Sequence, residues 1–399
     1  MKLFPNLVKG ITQSLRNIFE KRYHADKVIE YLFNDNPKWG SRDRAFVAES
    51  VFDMVRQWRR LWAILEKEAT FDEATLTELF GVYWIIKTFE VPDWTEFADL
   101  NIDVILQRDR EIFSRSIQYS IDDTIDAIAF EEIGERWETE LAAMNKMAEV
   151  VIRTNTIKIS VHQLLAEFEK EQMEIGLVEN MPEALILKQR RNLFSNQLFK
   201  NGWFEVQDAG SQLIAPFLKV EPGMRVIDAC AGAGGKTLHI ATLMQNKGRI
   251  IAMDIEAKKL EEVKRRSKRN GVSIIETKWI ENSKTIKRLH ETADRLLLDV
   301  PCSGLGVLKR NPDAKYKIDP NFIKQIKITQ QDIIQRYSGM LKKGGMMVYA
   351  TCSLLPSENN KQIETFLTNN KNFSLAEEKM IYPSEFGFDG FYMARLLKN

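Results

Sequence analysis

The chain has 399 residues, of which 44% are hydrophobic and 28% are charged, and this length is sufficient for two or three globular domains. Because 57 basic residues nearly balance 56 acidic ones, no global field attracts a polyanion, and binding to nucleic acid would have to use local basic patches. The three cysteines are widely spaced and odd in number, which argues against a disulfide framework and against a zinc site.

The N-terminus contains proline, asparagine and lysine before any signal-peptide core can form, and no apolar run reaches the roughly 18 residues of a membrane span. We therefore expect a cytoplasmic protein that does not associate with a membrane. The four histidines are scattered without the spacing of metal ligands, so we expect no metal site. A monomer is the default expectation.

Residues 1–145 show helical periodicity, because apolar residues such as Val47, Val51 and Val55 recur at intervals of three or four. This period predicts an all-helical N-terminal domain. Arginines, including Arg59 and Arg60, gather around the same apolar stripe. They could form an edge that faces RNA or simply the polar side of an amphipathic helix.

Residues 146–206 have a mixed pattern. An alternating run over residues 151–157 and an apolar run over residues 184–187 predict strands. Between them, Ser160 and Gln163 form a capping box that predicts the start of an apolar helix. We expect a small α/β domain, which could bind RNA or serve as a linking and packing module.

Residues 207–399 alternate buried-strand and helix signals, which predicts a doubly wound α/β domain with a parallel, Rossmann-like sheet. The strands are expected at 224–229, 249–253, 295–298 and 346–350, and the helices at 236–246, 257–269 and 322–341. The closing run 389–397 is typical of a late edge or hairpin strand.

A loop of small residues follows the first of these strands. It comprises Asp228, Ala229, Cys230, Ala231, Gly232, Ala233, Gly234, Gly235, Lys236 and Thr237. Small residues let the backbone approach a ligand, and the following helix N-terminus favours polarised groups. A Walker loop would need glycine at Cys230, and a dinucleotide loop would need it at Thr237. S-adenosylmethionine fits best, and we expect residues 229–236 to contact it.

Asp254 ends the next predicted strand, where its carboxylate could accept hydrogen bonds from the ribose of an adenosine cofactor. A helix N-cap would occupy the same position, so the alternative is purely structural.

Two cysteines follow later strands, Cys302 within Pro301-Cys302-Ser303 and Cys352 within Thr351-Cys352-Ser353. Since the ends of parallel strands converge on one crevice, both thiols are expected beside the cofactor loop. There a thiolate could attack an electron-poor ring carbon covalently. Cys230 has no second cysteine expected beside it, and we expect it to act as a small buried hydrophobic residue.

Two groups of basic residues are candidates for contact with phosphate. Lys309, Arg310, Lys315 and Lys317 follow Cys302, and for these we expect contact with phosphate. The second group lies on the predicted helix 257–269, where a solvated helix face is the more economical interpretation. It comprises Lys258, Lys259, Lys264, Arg265, Arg266, Lys268 and Arg269.

Five short motifs in a fixed order resemble those of the Sun-type RNA cytosine-5 methyltransferases. They are Val206-Gln207-Asp208, Gly235-Lys236-Thr237, Asp299-Val300-Pro301-Cys302-Ser303-Gly304, Thr351-Cys352-Ser353 and Asp389-Gly390-Phe391. The resemblance is firm over residues 150–399. Residues 41–44 and 310–313 are also similar to the bacterial 16S ribosomal RNA enzymes of the RsmB type, whose N-terminal domain resembles the RNA-binding antitermination factor NusB.

The resemblance implies that Cys352 adds to C6 of cytosine, which activates C5 for methylation, and that Cys302 then helps release the enzyme. From the residues alone, either thiol could be the nucleophile. Lys236 is the nearest candidate to favour a thiolate, and Asp299 can share a proton with cytosine N3 and also contact the cofactor. After the third strand the family generally has an acidic residue near the adenine, where this chain offers residues 281–283, with Asn282 as the candidate contact.

The sequence therefore predicts an S-adenosylmethionine-dependent RNA cytosine-C5 methyltransferase that acts on 16S ribosomal RNA. Two alternatives remain at this point, the same reaction on transfer RNA and a non-catalytic RNA-binding factor for ribosome assembly. The presence of Cys302, Cys352 and Asp299 together favours an enzyme.

Overall fold

The computed structural model describes residues 3–399, and the chain forms two compact units. The helical unit contains the residues up to Met147 together with Leu308–Pro320. The sheet unit contains Ala148–Val307 and Asn321–Asn399. The segment Leu308–Pro320 belongs to the helical unit although it follows the Cys302 loop in the chain, where the sequence predicts the Rossmann-like domain.

The helical unit is built around the apolar stripe that the sequence predicts. Its helices are α1 (Pro5–Phe19), α2 (Ala25–Asp35), α3 (Ser41–Arg56), α4 (Trp58–Leu65), α5 (Glu73–Thr88), α6 (Ile102–Asp109), α7 (Arg115–Gln118), α8 (Asp123–Ile133) and α9 (Arg136–Met144). Val47, Val51 and Val55 are fully buried. Arg59 pairs with Asp123 at 2.9 Å and Arg60 with Asp109 at 2.8 Å, so these arginines have partners within the unit.

The segment Leu308–Pro320 is fastened to this unit by a buried lysine. Lys315 Nζ donates to the carbonyl oxygens of Arg56 at 3.1 Å and Tyr119 at 2.8 Å, and also to Asn145 Oδ1. Tyr316 donates to the carbonyl oxygen of Val55 at 3.1 Å.

The expectation that the basic residues after Cys302 contact phosphate is wrong for Lys315, which is 1% exposed. Lys309 is also buried, and the Lys317 ammonium pairs with Asp313. The prediction failed because the local sequence does not distinguish a lysine that donates to buried carbonyl groups from a lysine on the surface.

The sheet unit begins with a small antiparallel sheet of order β2-β3-β1-β4. Its elements are β1 (Val150–Thr154), α10 (Val161–Lys170), β2 (Ile175–Val178), β3 (Met181–Leu187), α11 (Gln197–Lys200) and β4 (Phe204–Val206). The predicted capping box is confirmed, because Ser160 Oγ accepts from Gln163 N and the Gln163 side chain accepts from Ser160 N. The buried side chains of Leu164 and Phe168 pack under this sheet.

The larger sheet has seven strands in the order β10-β11-β9-β8-β5-β6-β7. The strands are β5 (Arg225–Asp228), β6 (Arg249–Asp254), β7 (Ile275–Trp279), β8 (Ala293–Asp299), β9 (Leu341–Thr351), β10 (Phe373–Ile381) and β11 (Phe391–Lys398). Around it lie α12 (Ala209–Gln212), α13 (Ile214–Phe217), α14 (Gly235–Leu243), α15 (Ala257–Asn270), α16 (Ser283–Lys287), α17 (Pro320–Tyr337), α18 (Asn360–Asn369) and α19 (Pro383–Phe386). This is the predicted Rossmann-like architecture.

The sheet is not entirely parallel. Strands β5 to β9 run parallel, whereas β11 pairs antiparallel with both β9 and β10. The strand near residues 389–397 is therefore not an edge strand, but its antiparallel pairing with β10, the preceding strand in the chain, confirms the alternative prediction of a hairpin strand. The residues from Phe391 to Leu396 are all buried, which is typical of a strand that is covered on both faces.

None of the helices that the structure describes is long and apolar enough to cross a bilayer.

Replacing Lys315 tests how the segment Leu308–Pro320 is held. Lys315→Met should lower the free energy of unfolding by about 1–3 kcal/mol, because the buried carbonyl groups of Arg56 and Tyr119 lose their donor. Urea unfolding measures this difference. The control is Lys67→Met, which removes only an exposed ion pair with Glu78 and should cost at most about 1 kcal/mol. Equal effects of the two substitutions would show that Lys315 does not anchor the segment.

Candidate active site

The site lies at the carboxyl ends of four neighbouring strands of the larger sheet, β9, β8, β5 and β6. The glycine-rich loop follows β5, Asp254 ends β6, Asp299 ends β8 and Cys352 follows β9. Register brings these ends together, since Asp228 lies beside Ala252 on one side and Leu297 on the other. The structure thus gathers most of the predicted residues at one edge, as parallel strands require.

The glycine-rich loop presents its backbone rather than side chains. Gly232 has a positive φ of 53°, a conformation that glycine adopts without strain, and an added Cβ there would enter open space. Its amide donates to Asp254 Oδ2 at 2.9 Å. The backbone beside Gly232 is therefore accessible to a ligand and fixed in orientation.

Asp254 orders both the loop and the start of the following helix. While Oδ2 accepts from Gly232, Oδ1 accepts from the amide of Glu256 at 2.8 Å. The N-cap of α15 is Glu256 rather than Asp254. A carboxylate oxygen can accept more than one hydrogen bond, so these contacts are compatible with the predicted ribose contact, which stays a prediction.

Two arginines hold the glycine-rich loop from outside, and the sequence analysis did not identify either of them as part of the site. Arg153 of β1 donates to the carbonyl oxygen of Gly235 at 3.1 Å, and Arg266 of α15 donates to that of Ala233 at 2.8 Å. No local sequence signal marks Arg153, because it lies in an ordinary alternating strand run.

The helix α15 is only partly the solvated face that the sequence predicts. Arg266 and Arg269 both pair with the buried Glu205 of β4. Burial raises the pKa of Glu205, but the two guanidinium groups outweigh it and hold that pKa below its ordinary value. Arg265, by contrast, is largely exposed and pairs with Glu262 on the same helix.

Asn282 lies after β7 and has a local structural role. Its side chain accepts from the amide of Lys284 at 2.9 Å and so caps α16. It is exposed. Contact between Asn282 and a cofactor stays a prediction.

An ion pair joins the glycine-rich loop to the end of β8. Lys236 Nζ lies 2.6 Å from Asp299 Oδ2 and 5.3 Å from the centre of the Phe391 ring. Burial lowers the pKa of Lys236, but the negative charge of Asp299 and the hydrogen bond to it, together with the electrostatic interaction with Cys352, outweigh this effect and raise that pKa. The Lys236 side chain therefore stays an ammonium ion close to these two groups.

Asp228, at the end of β5, is a second carboxyl group below the loop. Its side chain is almost completely buried, and burial raises its pKa to about 7. Thr237 donates to Oδ2 at 2.6 Å, whereas Oδ1 has no hydrogen-bond partner among the described residues. Asp228 Oδ1 is thus a buried acceptor without a hydrogen-bond partner among the described residues.

The two predicted thiols meet. Cys302 Sγ and Cys352 Sγ are 3.0 Å apart, and the amide of Cys352 also donates to Cys302 Sγ at 3.2 Å. The hydrogen bond with Cys352, burial and the charge of Glu358 together raise the pKa of Cys302 well above its ordinary value. Cys302 therefore keeps its proton at neutral pH.

Cys230 lies apart from this pair. It packs against the apolar core that includes Ile227 and Leu298. Burial, followed by the negative charge of Asp228, raises its pKa well above the ordinary value. This environment suits an unreactive thiol.

Glu358 is a site residue that the sequence analysis missed. Its side chain is fully buried, and it accepts from Ser303 N at 2.8 Å, Ser353 Oγ at 2.6 Å and Gln330 Nε2 at 2.8 Å. Ser303 and Ser353 directly follow the two cysteines, so this carboxylate ties the two cysteine loops together. No periodicity marks Glu358, since its role depends on contacts between elements distant in sequence.

The described residues contain no group of three or more His, Cys, Asp or Glu side chains that could hold a metal ion.

Two protein-family models match the chain. Residues 215–397 match the family described as 16S rRNA methyltransferase RsmB/F. Residues 129–193 match the ferredoxin-like domain described for RsmF/B-like methyltransferases. The second match covers most of the small antiparallel sheet, and the first covers the larger sheet with both cysteines.

Relatives and a solved structure extend the similarity along the chain. A Synechocystis protein named "Probable ribosomal RNA small subunit methyltransferase B" is 31% identical over 90% of this chain and 88% of its own length. A Bacillus subtilis protein of the same name is 32% identical over 62% of this chain and 59% of its own. The crystal structure of PH0851 has a TM-score of 0.84 with 22% identity and covers 100% of both chains, which shows the fold.

The motifs, the architecture and these matches agree with one another over the helical unit, the small sheet and the larger sheet. The chain belongs to the RsmB/F family of 16S rRNA methyltransferases.

Proposed function

We propose that this protein uses S-adenosylmethionine to convert a cytosine of 16S ribosomal RNA to 5-methylcytosine, through a covalent bond between Cys352 and the base. The observation that carries the proposal is the 3.0 Å contact between Cys302 and Cys352, beside the Lys236–Asp299 ion pair. Membership of the RsmB/F family supports 16S ribosomal RNA as the substrate.

The residues around the glycine-rich loop fit S-adenosylmethionine. Gly232 leaves open space for a ligand, Asp254 can receive a ribose, and the buried Asp228 Oδ1 lacks a partner. With Asp299, three carboxyl groups surround a loop that would receive a positively charged sulfonium, which is electrostatically favourable. When bound, S-adenosylmethionine supplies the electrophilic methyl group.

The thiols divide the chemistry between them. C5 of cytosine is a weak nucleophile. Addition of a thiolate to C6 raises the electron density at C5, which makes C5 nucleophilic enough to accept a methyl group. The raised pKa of Cys302 disfavours its thiolate, which supports Cys352 as the attacking thiol. The C5 proton must pass to a base such as water before Cys352 departs from C6 with the bonding electrons, and the protonated Cys302, 3.0 Å away, can donate a hydrogen bond to the departing sulfur.

Lys236 and Asp299 hold the base during the attack. The ammonium of Lys236 fixes Asp299 in position and stabilises negative charge at Cys352. The carboxyl group of Asp299 can then share a proton with N3 of the base as charge develops on the ring. Because the cytosine must leave its stack, at a cost of a few kcal/mol, an unpaired cytosine is the preferred target.

Transfer of labelled methyl groups from S-adenosylmethionine tests the function. With protein-free 16S ribosomal RNA, label should appear as 5-methylcytosine, and Cys352→Ala should reduce it to background because no nucleophile remains. Glu364→Gln, which alters an exposed carboxylate on α18, should retain activity. Label in bulk transfer RNA instead of 16S ribosomal RNA would support the alternative substrate. Failure to bind S-adenosylmethionine would contradict the proposal.

Cys302→Ala should trap the covalent intermediate. Attack by Cys352 and methylation can still occur, but release of the enzyme from C6 lacks its assisting group. A denaturing gel should therefore show a retarded protein–RNA band that the wild type lacks. The double variant Cys302→Ala/Cys352→Ala is the control and should lose the band. Absence of a band from the single variant would refute the division of roles.

Glu358→Gln tests whether the carboxylate positions and tunes the thiol pair. The amide keeps the size of the side chain but removes a negative charge that raises the pKa of Cys302. Peptide mass spectrometry measures the alkylation of Cys302 by iodoacetamide as a function of pH. The pH at which Cys302 becomes reactive should be lower in Glu358→Gln than in the wild type. Misplacement of the thiols should also lower kcat by about 100-fold, with KM for RNA nearly unchanged.

The matched control for this substitution is Glu364→Gln, which alters an exposed carboxylate on the neighbouring helix α18. It should change neither the alkylation profile nor kcat. An unaltered pH profile of Cys302 in a folded Glu358→Gln variant would rule out the electrostatic role.

A further inference from the structure

The contact between Cys302 and Cys352 has a chemical consequence that is separate from methyl transfer. The two sulfur atoms are 3.0 Å apart, and a disulfide bond is about 2.05 Å long, so an approach of about 1 Å is sufficient to form one. Both residues are free thiols in this structure. Few side-chain movements are therefore needed to link them.

The backbone also permits a link. Strands β8 and β9 pair in parallel as far as Asp299 and Ala350, and neighbouring strands lie about 4.8 Å apart. Disulfides need Cα atoms about 4.4–6.8 Å apart, and the strand spacing two to three residues before the cysteines falls within this range. Hydrogen bonds continue beyond the strands, since Gly306 N donates to the carbonyl oxygen of Cys352 at 2.8 Å. The two loops are thus held side by side.

We propose that Cys302 and Cys352 form a reversible disulfide when the protein meets hydrogen peroxide, with Cys302 acting as the resolving thiol for Cys352. The proposal concerns a modification of the site and does not depend on methyl transfer. It gives the pair a second role, which is protection of Cys352 against irreversible oxidation.

The reaction proceeds in two balanced steps. The Cys352 thiolate attacks one oxygen of hydrogen peroxide, the O–O bond breaks, and hydroxide leaves, which gives Cys352 sulfenic acid. The sulfur of Cys302 then attacks the sulfenic sulfur, the S–S bond forms, and the S–O bond breaks. The proton of Cys302 and the departing hydroxide become water. Overall, two thiols lose two electrons, and hydrogen peroxide is reduced to two molecules of water.

The site supplies the features that this sequence needs. The Lys236 ammonium, which is paired with Asp299, interacts electrostatically with Cys352, whose thiolate attacks peroxide in the first step. Cys302 Sγ lies 3.0 Å from Cys352 Sγ, and its proton passes to the hydroxide that leaves the sulfenic sulfur in the second step. Glu358 keeps the two loops adjacent through Ser303 and Ser353.

Without a resolving thiol, a sulfenic acid continues to sulfinic acid, which common thiol reductants do not reverse. The disulfide prevents this because the sulfur of Cys352 is already bonded. It also removes both thiols, so the oxidised protein cannot attack a base. Reduction by a dithiol restores both groups.

The chain contains its own control. Cys230 follows β5, packs against the apolar core and has a pKa raised by burial, so it should neither react with peroxide nor join the disulfide. The variants to compare are therefore wild type, Cys230→Ser and Cys302→Ser, all as the full chain. The serine substitutions preserve side-chain size, and thermal unfolding verifies that each variant is folded.

The test is mass spectrometry after brief treatment with hydrogen peroxide. Wild type and Cys230→Ser should lose the mass of two hydrogen atoms and yield a linked peptide pair containing Cys302 and Cys352, and dithiothreitol should reverse both changes. Cys302→Ser should instead gain two oxygen atoms at Cys352, and dithiothreitol should not remove them.

Oxygen addition at Cys352 of the wild type without a linked peptide, or a link that involves Cys230, would overturn the proposal. Because mass is the readout, a protein inactive towards RNA could still confirm the disulfide, and an active one could refute it. Failure of this proposal is therefore distinguishable from failure of the proposed function.

Discussion

The parallel pairing of β8 with β9 is the interaction on which the site depends. It sets Asp299 beside Ala350, and the loops that follow carry Cys302 and Cys352 to a contact of 3.0 Å. Without that pairing the two thiols, which are fifty residues apart in the chain, would have no common target. A sheet buried on both faces supplies the rigidity, because few rearrangements can separate two central strands.

Charges of opposite sign then distinguish two chemically identical groups. The hydrogen bond with Cys352, burial and the nearby charge of Glu358 raise the pKa of Cys302, whereas the Lys236 ammonium interacts electrostatically with Cys352. A buried carboxylate is costly unless it is well hydrogen-bonded, and Ser303, Ser353 and Gln330 meet this requirement. The same contacts that stabilise the carboxylate fix the distance between the two cysteine loops.

Local patterns in the sequence were sufficient for the elements but not for their distant partners. The alternation of strand and helix predicted the Rossmann-like sheet, and the motifs located Cys302 and Cys352. The burial of Lys315, the place of β11 within the sheet and the role of Glu358 were not predictable. Each of them depends on contacts between segments far apart in the chain, and such contacts produce no periodic pattern in the sequence.

The most direct test of the proposed mechanism is to identify the cysteine that bonds to the base. RNA that contains 5-fluorocytosine at the target position blocks the final loss of the C5 proton, so the covalent complex with wild-type protein persists. Proteolysis and mass spectrometry then locate the nucleotide. We expect the nucleotide to be attached to the peptide that contains Cys352. Attachment to the peptide that contains Cys302 would contradict it.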